Sequence, residues 1–388
     1  MKIPCITDFY LKNKSILIRT DFNVPIQNNK VICDIRIQKS IATIDFALKS
    51  HAKSVIVVSH LGRPKDEKYN KKYSLQPIVK ILQKYIHYPV RLVRNYLNGF
   101  ESRRDELLVL ENVRFNKGEK NNDIILSKKY ANLCDIFVMD AFGASHRLES
   151  STYGIIKFAP QSCIGILFKK EIKYLKKVLR NSERPVVTVL GGSKIATKFN
   201  VIKKLSKISD KIIIGGGIAN TFLLSQGYSI GKSLKELNYI KKAEFLLKIQ
   251  DNLVLPKDVK IIKNNQFYNL IEKPISKIDN EDYIVDIGKR SCKEFIKILN
   301  TAKTIFWNGS LGCFEFNHQC SGTKKIAQNI VKKNVLSIIG GGETILAAHK
   351  FGILNLFSYV STGGGALLKF IETQTLPSLL ALENLHIT

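Results

Sequence analysis

The chain has 388 residues, more than a single hydrophobic core usually serves, so two domains are expected. Its 45% hydrophobic and 24% charged content is that of a globular protein, and no apolar run approaches the roughly 20 residues of a membrane span. A formal net charge of +29 invites a nucleic-acid or membrane-surface reading, but the lysines are scattered through stretches such as "KYLKKVLRN" and "VKKNV", without long single-sign blocks or interleaved aromatics, which argues against both.

The opening residues "MKIPCITDFYLKN" lack the apolar stretch of a signal peptide, so the protein is expected to be soluble and cytoplasmic. From there short apolar runs alternate with helical patterns. "SILIRT", "SVIVVSH", "VRLV", "LLVLEN" and "IFVMDAF" read as strands. Between the first two, "DIRIQKSIATIDFALKS" sets Ile37, Ile41, Ile44 and Leu48 on one helix face behind Asp34 as N-cap. Continuous apolar strands separated by helices imply a parallel sheet covered on both sides. "FKKEIKYLKKVLRNSERP", with Phe168, Ile172, Leu175 and Leu179 on one face, reads as a connecting helix. A second series follows: "VVTVL", "KIIIGG", "TIFWNG", "VLSIIGG" and "LFSYVST". The expected architecture is α/β, with two doubly wound, Rossmann-like domains over residues 1–170 and 185–374, joined by a hinge helix at 171–184. Residues 251–285 are less regular and offer no evident chemistry. The 7 cysteines are dispersed with no C-x-x-C pair, so they read as reduced thiols and not as a zinc site.

Glycines cluster where strands of the second half end: "VTVLGGSK", "IIIGGGIAN", "SIIGGGET" and "YVSTGGGA". In open α/β sheets ligands bind beyond the carboxyl ends of strands, where a helix start presents unpaired N–H groups, and glycine lets backbone approach phosphate. Four such turns in one half argue for a nucleotide. Lys194 and Lys198 lie four apart and are expected along one helix face beside that site. "GYSIGKS" is one residue short of a P-loop and follows a helical stretch, and no complete G-x-G-x-x-G supports a dehydrogenase. In the first half, Asp21, Asn23, Arg36, His60, Arg63, Arg114 and Arg147 fall at strand ends and helix starts, a basic bowl suited to a small carboxylate or phosphate. A nucleotide in one domain and a small anion in the other point to phosphoryl transfer. A nucleic-acid-binding protein on a kinase-like scaffold is the alternative, and it would show steep salt-dependent binding.

The ordered motifs "RTDFNVP", "SHLGRP", "LENVRFNKGE", "MDAFGASHR", "GGSKIATK", "GGGIANTF", "WNGSLGCFEF", "GGGET" and "STGGGA" span the chain and resemble phosphoglycerate kinases. The resemblance implies a monomer that reversibly transfers a phosphoryl group between 1,3-bisphosphoglycerate and ADP, giving 3-phosphoglycerate and ATP, with Mg²⁺ bound alongside the nucleotide and neither nucleic acid nor membrane required. It assigns the triose site to Asp21, Phe22, Asn23, Arg36, His60, Leu61, Gly62, Arg63, Arg114 and Arg147. It assigns the nucleotide site to Lys198, Gly215, Gly216, Asn308, Glu315, Gly341, Gly342, Glu343 and Thr344, with Glu343 toward the metal. Arg36, Lys194, Gly364 and Gly365 match groups that meet the moving phosphoryl, and the C-terminal segment 375–388 is expected to pack back on the N-terminal domain. The sequence departs from the family's pattern at Ser310 (usually Pro), Cys313 (commonly Val) and Glu343 (usually Asp).

Overall fold

A computed structural model describes residues 3–65, 68–263, 269–315, 321–332 and 334–385. The chain divides into two compact units, residues 1–173 with 373–388 and residues 174–372.

The first unit is built on a six-stranded parallel sheet in the order Val90–Val93, Leu107–Leu110, Ser54–Val58, Ser15–Arg19, Ile136–Met139, Gln161–Ile164. Ser54–Val58, Leu107–Leu110 and Ile136–Met139 are buried at every residue, which is why they read as unbroken apolar runs and not as alternating ones. The helix Ile35–Lys49 buries Ile37, Ile44 and Leu48, while Ile41 is only half-buried and Ser40, Thr43 and Ala47 complete the covered face. Asp34 precedes this helix without capping it: its carboxylate accepts instead from Gln38 Nε2 at 2.9 Å and Tyr85 OH at 2.7 Å. The helix Pro377–Leu385 belongs to this unit, and Ser378 Oγ donates to the carbonyls of Ser145 at 3.1 Å and Thr152 at 2.7 Å.

The second unit carries another six-stranded parallel sheet, ordered Leu253–Val254, Lys211–Ile214, Val186–Leu190, Thr304–Asn308, Leu336–Gly340, Tyr359–Ser361. Counted along the chain this is the 3-2-1-4-5-6 order of dinucleotide-binding folds, although the glycine fingerprint of those folds is absent. The order reverses between Val186–Leu190 and Thr304–Asn308, so their carboxyl ends define the crevice where a ligand can enter. The stretch 251–285, read as irregular from sequence, contains most of a separate antiparallel sheet with Asp258–Ile262 between Ile271–Pro274 and Tyr283–Ile287.

The helix Ile166–Arg180 contains the division between the units. Its covered face is turned from the expected one: Phe168, Glu171, Leu175 and Val178 are buried, whereas Ile172 and Leu179 are half-exposed. No helix among the described residues is long and apolar enough to cross a membrane. The six described cysteines are free thiols, and Cys320 lies outside the described residues.

Candidate active site

In the first unit the loops that leave the carboxyl ends of the strands bring the predicted bowl together. Asp21 follows Ser15–Arg19 and accepts a hydrogen bond from Arg36 Nη1 at 3.0 Å, with Arg36 placed by the first turn of its helix. The same Arg36 nitrogen reaches the Asn23 carbonyl at 3.1 Å, and Asn23 Oδ1 accepts from Gly62 N at 2.9 Å, tying two loops to each other. Arg114 is buried, donating to the Gly62 carbonyl at 2.6 Å and to Glu149 at 3.2 Å; Arg147 meets the same Glu149 oxygen at 3.3 Å. Arg63 is exposed and makes no hydrogen bond among the described residues. Phe22 and Leu61 differ from the expectation, because their side chains belong to the core and they adjoin the site only through backbone: Phe22 N donates to Ser59 Oγ, and the Leu61 carbonyl accepts from Asn112.

His60 is buried behind these arginines. Burial first, then the charges of Arg19, Arg147 and Arg36, hold its imidazole pKa well below the ordinary histidine range, so the ring is neutral at physiological pH. Four buried polar atoms in this neighbourhood have no hydrogen-bond partner among the described residues: His60 Nε2, Arg114 Nε, Glu149 Oε2 and His146 Nδ1. Buried polar groups are nearly always satisfied, so a cluster of orphans beside exposed arginine charge is a mark of a polar ligand's place.

The second unit has two adjoining pockets that share Gly192, Ser193 and Glu343. One, of about 310 Å³, is lined by residues including Lys194, Lys198, Asn308, Gly341, Thr344 and Gly364. Lys198 is almost fully buried, donates to the carbonyls of Gly191 at 2.6 Å and Asn308 at 3.1 Å, and has its pKa pushed down to about 8 by burial, an effect that the Glu343 carboxylate partly opposes. Asn308 Nδ2 donates to the Gly340 carbonyl at 2.7 Å, and Thr344 Oγ1 accepts from Gly309 N at 2.6 Å, which ties the carboxyl end of Thr304–Asn308 to that of its neighbour Leu336–Gly340 and to the helix behind it. Gly341 sits at φ +98° with the helix Gly342–Lys350 starting behind it, and a Cβ there would stand 2.8 Å from Asn308 Nδ2. Gly365 opens the helix Gly365–Thr373. The other pocket is smaller, about 170 Å³, and more apolar; Gly216, Leu234, Pro256, Val259, Tyr283, Val285, Leu311 and Glu315 are among its walls. Gly215 precedes the helix Gly216–Ser225, and Gly216 has φ +62° with its backbone wedged between the carbonyls of Gly192 and Ser310.

One local expectation fails. Lys194 and Lys198 do not share a helix face, because residues 196–198 form a turn and the helix begins only at Phe199. Gly192 at φ +108° and the buried Ile195 turn the chain back, Lys198 N closing onto Ile195 O at 2.9 Å, so that Lys198 dives inward while Lys194 stays exposed. Both still line the pocket. Arg19, His146 and Glu149 were not among the predicted residues. Arg19 had a signal, being the lone charge in the apolar run "SILIRT".

Backbone amides and lysines at a topological switch point suit polyphosphate, and a cluster of arginines suits an anionic acceptor, a combination of the kind found in phosphotransferases. The sequence model of the phosphoglycerate kinase family matches residues 6–374. A phosphoglycerate kinase of Wigglesworthia glossinidia brevipalpis is 59% identical over 384 residues, covering 99% of this chain and 97% of that one, and one of Baumannia cicadellinicola is 51% identical over 378 residues, covering 97% of each. Among solved structures, the phosphoglycerate kinase of Coxiella burnetii superposes with a TM-score of 0.86 at 39% identity, covering 99% of each chain. That of Pyrococcus horikoshii OT3 gives 0.86 at 29% identity, covering 97% of this chain and 98% of its own. The chain belongs to the phosphoglycerate kinase family. It is a glycolytic phosphotransferase, and the comparisons give no support to a nucleic-acid-binding reading.

Proposed function

We propose that the protein works as a cytoplasmic monomer, transferring a phosphoryl group reversibly between 1,3-bisphosphoglycerate and ADP, with the triose bound by the first unit and the nucleotide by the second. The observation that carries the division is the contrast in lining: orphaned polar atoms among arginines in one unit, glycine backbone and a buried lysine beside an apolar slot in the other. In this reading Arg63, Arg114, Arg147, Asn23 and the Nε2–H of His60 hold 3-phosphoglycerate. The apolar slot takes the base, Glu315 faces the ribose, and Lys198 with the amides at Gly341, Gly342 and Thr344 takes the phosphates.

In the direction of ATP use, a carboxylate oxygen of 3-phosphoglycerate attacks the γ-phosphorus, the new O–P bond forms as the bond to the β-phosphate oxygen breaks, and ADP leaves. The transition state is loose and spreads negative charge over three equatorial oxygens. Arg36, Lys194 and the N–H groups of Gly364 and Gly365 are the donors assigned to those oxygens, and no covalent intermediate is needed. Asp21 holds Arg36 in place through the 3.0 Å ion pair. Keeping water away from the reacting groups would prevent hydrolysis of the acyl phosphate.

The residues present fit Mg²⁺. Glu343 offers a single hard oxygen donor on the first turn of its helix, on the wall shared by the two pockets, and Mg²⁺ characteristically takes one or two carboxylates while phosphates and water supply the rest. When bound it would neutralise nucleotide phosphate charge. Glutamate in place of the usual aspartate reaches about 1.5 Å further, one C–C bond.

Arg36→Ala and Lys194→Ala are expected to lower kcat on the order of a hundredfold each, since each removes a donor to charge that develops only during transfer. Steady-state assays with 3-phosphoglycerate and ATP check this. An unchanged kcat in either variant removes that residue from the catalytic set.

A further inference from the structure

Behind His60 lies a chain of side chains that no ligand in the proposed reaction touches. Arg19, Glu119, Ser151 and His60 are all buried, at 0%, 0%, 1% and 2% exposure. Arg19 Nη2 stands 3.3 Å from His60 Nδ1, and its Nη1 holds the Thr20 carbonyl. Arg19 Nε donates to Ser151 Oγ at 2.9 Å, and that hydroxyl donates in turn to Glu119 Oε1 at 2.6 Å. The second oxygen of Glu119 accepts from Ser151 N at 3.2 Å.

Each link has only one chemically allowed direction. A guanidinium has no acceptor, so His60 Nδ1 must accept, and a neutral imidazole that accepts at Nδ1 carries its proton at Nε2. Nε2 is the His60 atom left without a hydrogen-bond partner among the described residues. Ser151 uses its hydroxyl both ways, taking the Arg19 proton donor and passing its own proton to the carboxylate, which is the arrangement that holds a guanidinium edge at a fixed angle. Glu119 ends this run of links, with the Tyr130 hydroxyl hydrogen-bonded to it as well, and supplies the countercharge to a fully buried arginine.

We propose that Glu119 and Ser151 are positioning residues for the triose site: through Arg19 they hold His60 as the neutral Nε2–H tautomer, with its donor aimed at the substrate. The proposal rests on the reading that His60 contacts the triose. Burial pushes the Glu119 carboxyl up to about 7, with Glu149 adding to the rise and Arg19 and the Ser151 hydroxyl opposing it. The end of the chain is therefore sensitive to losing its acceptor character.

The test is long-range ¹⁵N–¹H correlation of the His60 ring, assigned by comparison with His60→Gln, together with steady-state kinetics on the full chain. The wild type is expected to show an unprotonated Nδ1 and a protonated Nε2. Ser151→Ala and Glu119→Gln are each expected to move His60 toward a mixture of tautomers and to raise KM for 3-phosphoglycerate roughly fivefold, as for the loss of about one net hydrogen bond, with KM for ATP unchanged. A wild-type ring protonated at Nδ1, or His60 signals unmoved in both variants, overturns the proposal, and the wild-type spectrum decides even if one variant does not fold. His60→Gln reads the underlying assignment separately: an unaltered KM for 3-phosphoglycerate in that variant removes His60 from the triose site, whatever its tautomer.

Discussion

Lys198 is the residue whose chemistry depends most on its surroundings. It is buried among backbone carbonyls, which brings its pKa down to about 8, while the Glu343 carboxylate pulls in the opposite direction. Below that value the ammonium is charged and can meet phosphate; above it the donor is neutral. Affinity for ATP is therefore expected to fall as pH rises through about 8, and Glu343→Ala, which withdraws the supporting charge, should move the break to lower pH. Calorimetric titration of ATP across pH 7 to 9.5 checks this, and a flat profile would show that Lys198 does not carry the phosphate contact. The linkage to folding has the opposite trend. In the unfolded chain a lysine keeps its proton up to about 10.5, so between about 8 and 10.5 the unfolded state binds more protons and this group's contribution to stability rises with pH. Cys313, in a motif where valine is commoner, lines the apolar slot as a half-buried thiol whose pKa burial pushes up to about 11. It stays neutral at physiological pH and acts there as a small apolar side chain.

At the level of elements, the glycine turns are the features that, in the proposed reading, decide where nucleotide can approach. Gly216 combines φ +62° with a backbone so close to its neighbours that a Cβ would lie 2.9 Å from the carbonyl oxygens of both Gly192 and Ser310. Gly216→Ala must therefore push apart the turns that frame both pockets. ATP affinity is expected to drop by about tenfold or more while 3-phosphoglycerate affinity is retained, since backbone strain of this kind costs of order 1–3 kcal/mol. Unchanged ATP binding would mean that the turn relaxes without disturbing the site. Most elements were legible because parallel strands buried on both faces give unbroken apolar runs. The exceptions have physical causes. Gln161–Ile164 is short and opens on an exposed glutamine, so its pattern is weak. The strands of the antiparallel sheet over residues 258–287 are short and interrupted by charged residues such as Lys260, Glu272, Lys273 and Asp286, so no unbroken apolar run marks them; Ile271–Pro274 is almost wholly exposed, yet the sheet supplies Val259, Tyr283 and Val285 to the slot. Lys194 and Lys198 were legible as neighbours, and both line one pocket, but not in their relation to each other, because four-residue spacing implies a shared face only when a helix intervenes, and here Gly192 forces a turn. Arg19 and Ser151 meet across 132 positions of chain, a pairing that no local pattern announces.

For the whole molecule, the net charge of +29 needs no partner to explain it. Arg19 and Arg114 are buried, with Ser151, Glu149 and backbone carbonyls as partners, while many lysines lie on solvated faces or in exposed pairs such as Lys248 with Glu244. Surface charge of this kind bears on solubility and long-range attraction of anionic substrates more than on the fold. The central claim is that each unit holds one reactant, the triose in residues 1–173 and the nucleotide in residues 174–372. Separate calorimetric titrations of 3-phosphoglycerate and of ATP into Arg63→Ala and Lys198→Met test it most directly. Loss of one charge-assisted hydrogen bond is expected to weaken 3-phosphoglycerate about tenfold in Arg63→Ala with ATP unaffected, and to weaken ATP about tenfold in Lys198→Met with 3-phosphoglycerate unaffected. If either substitution weakens both ligands equally, the division of the reactants between the two units is wrong.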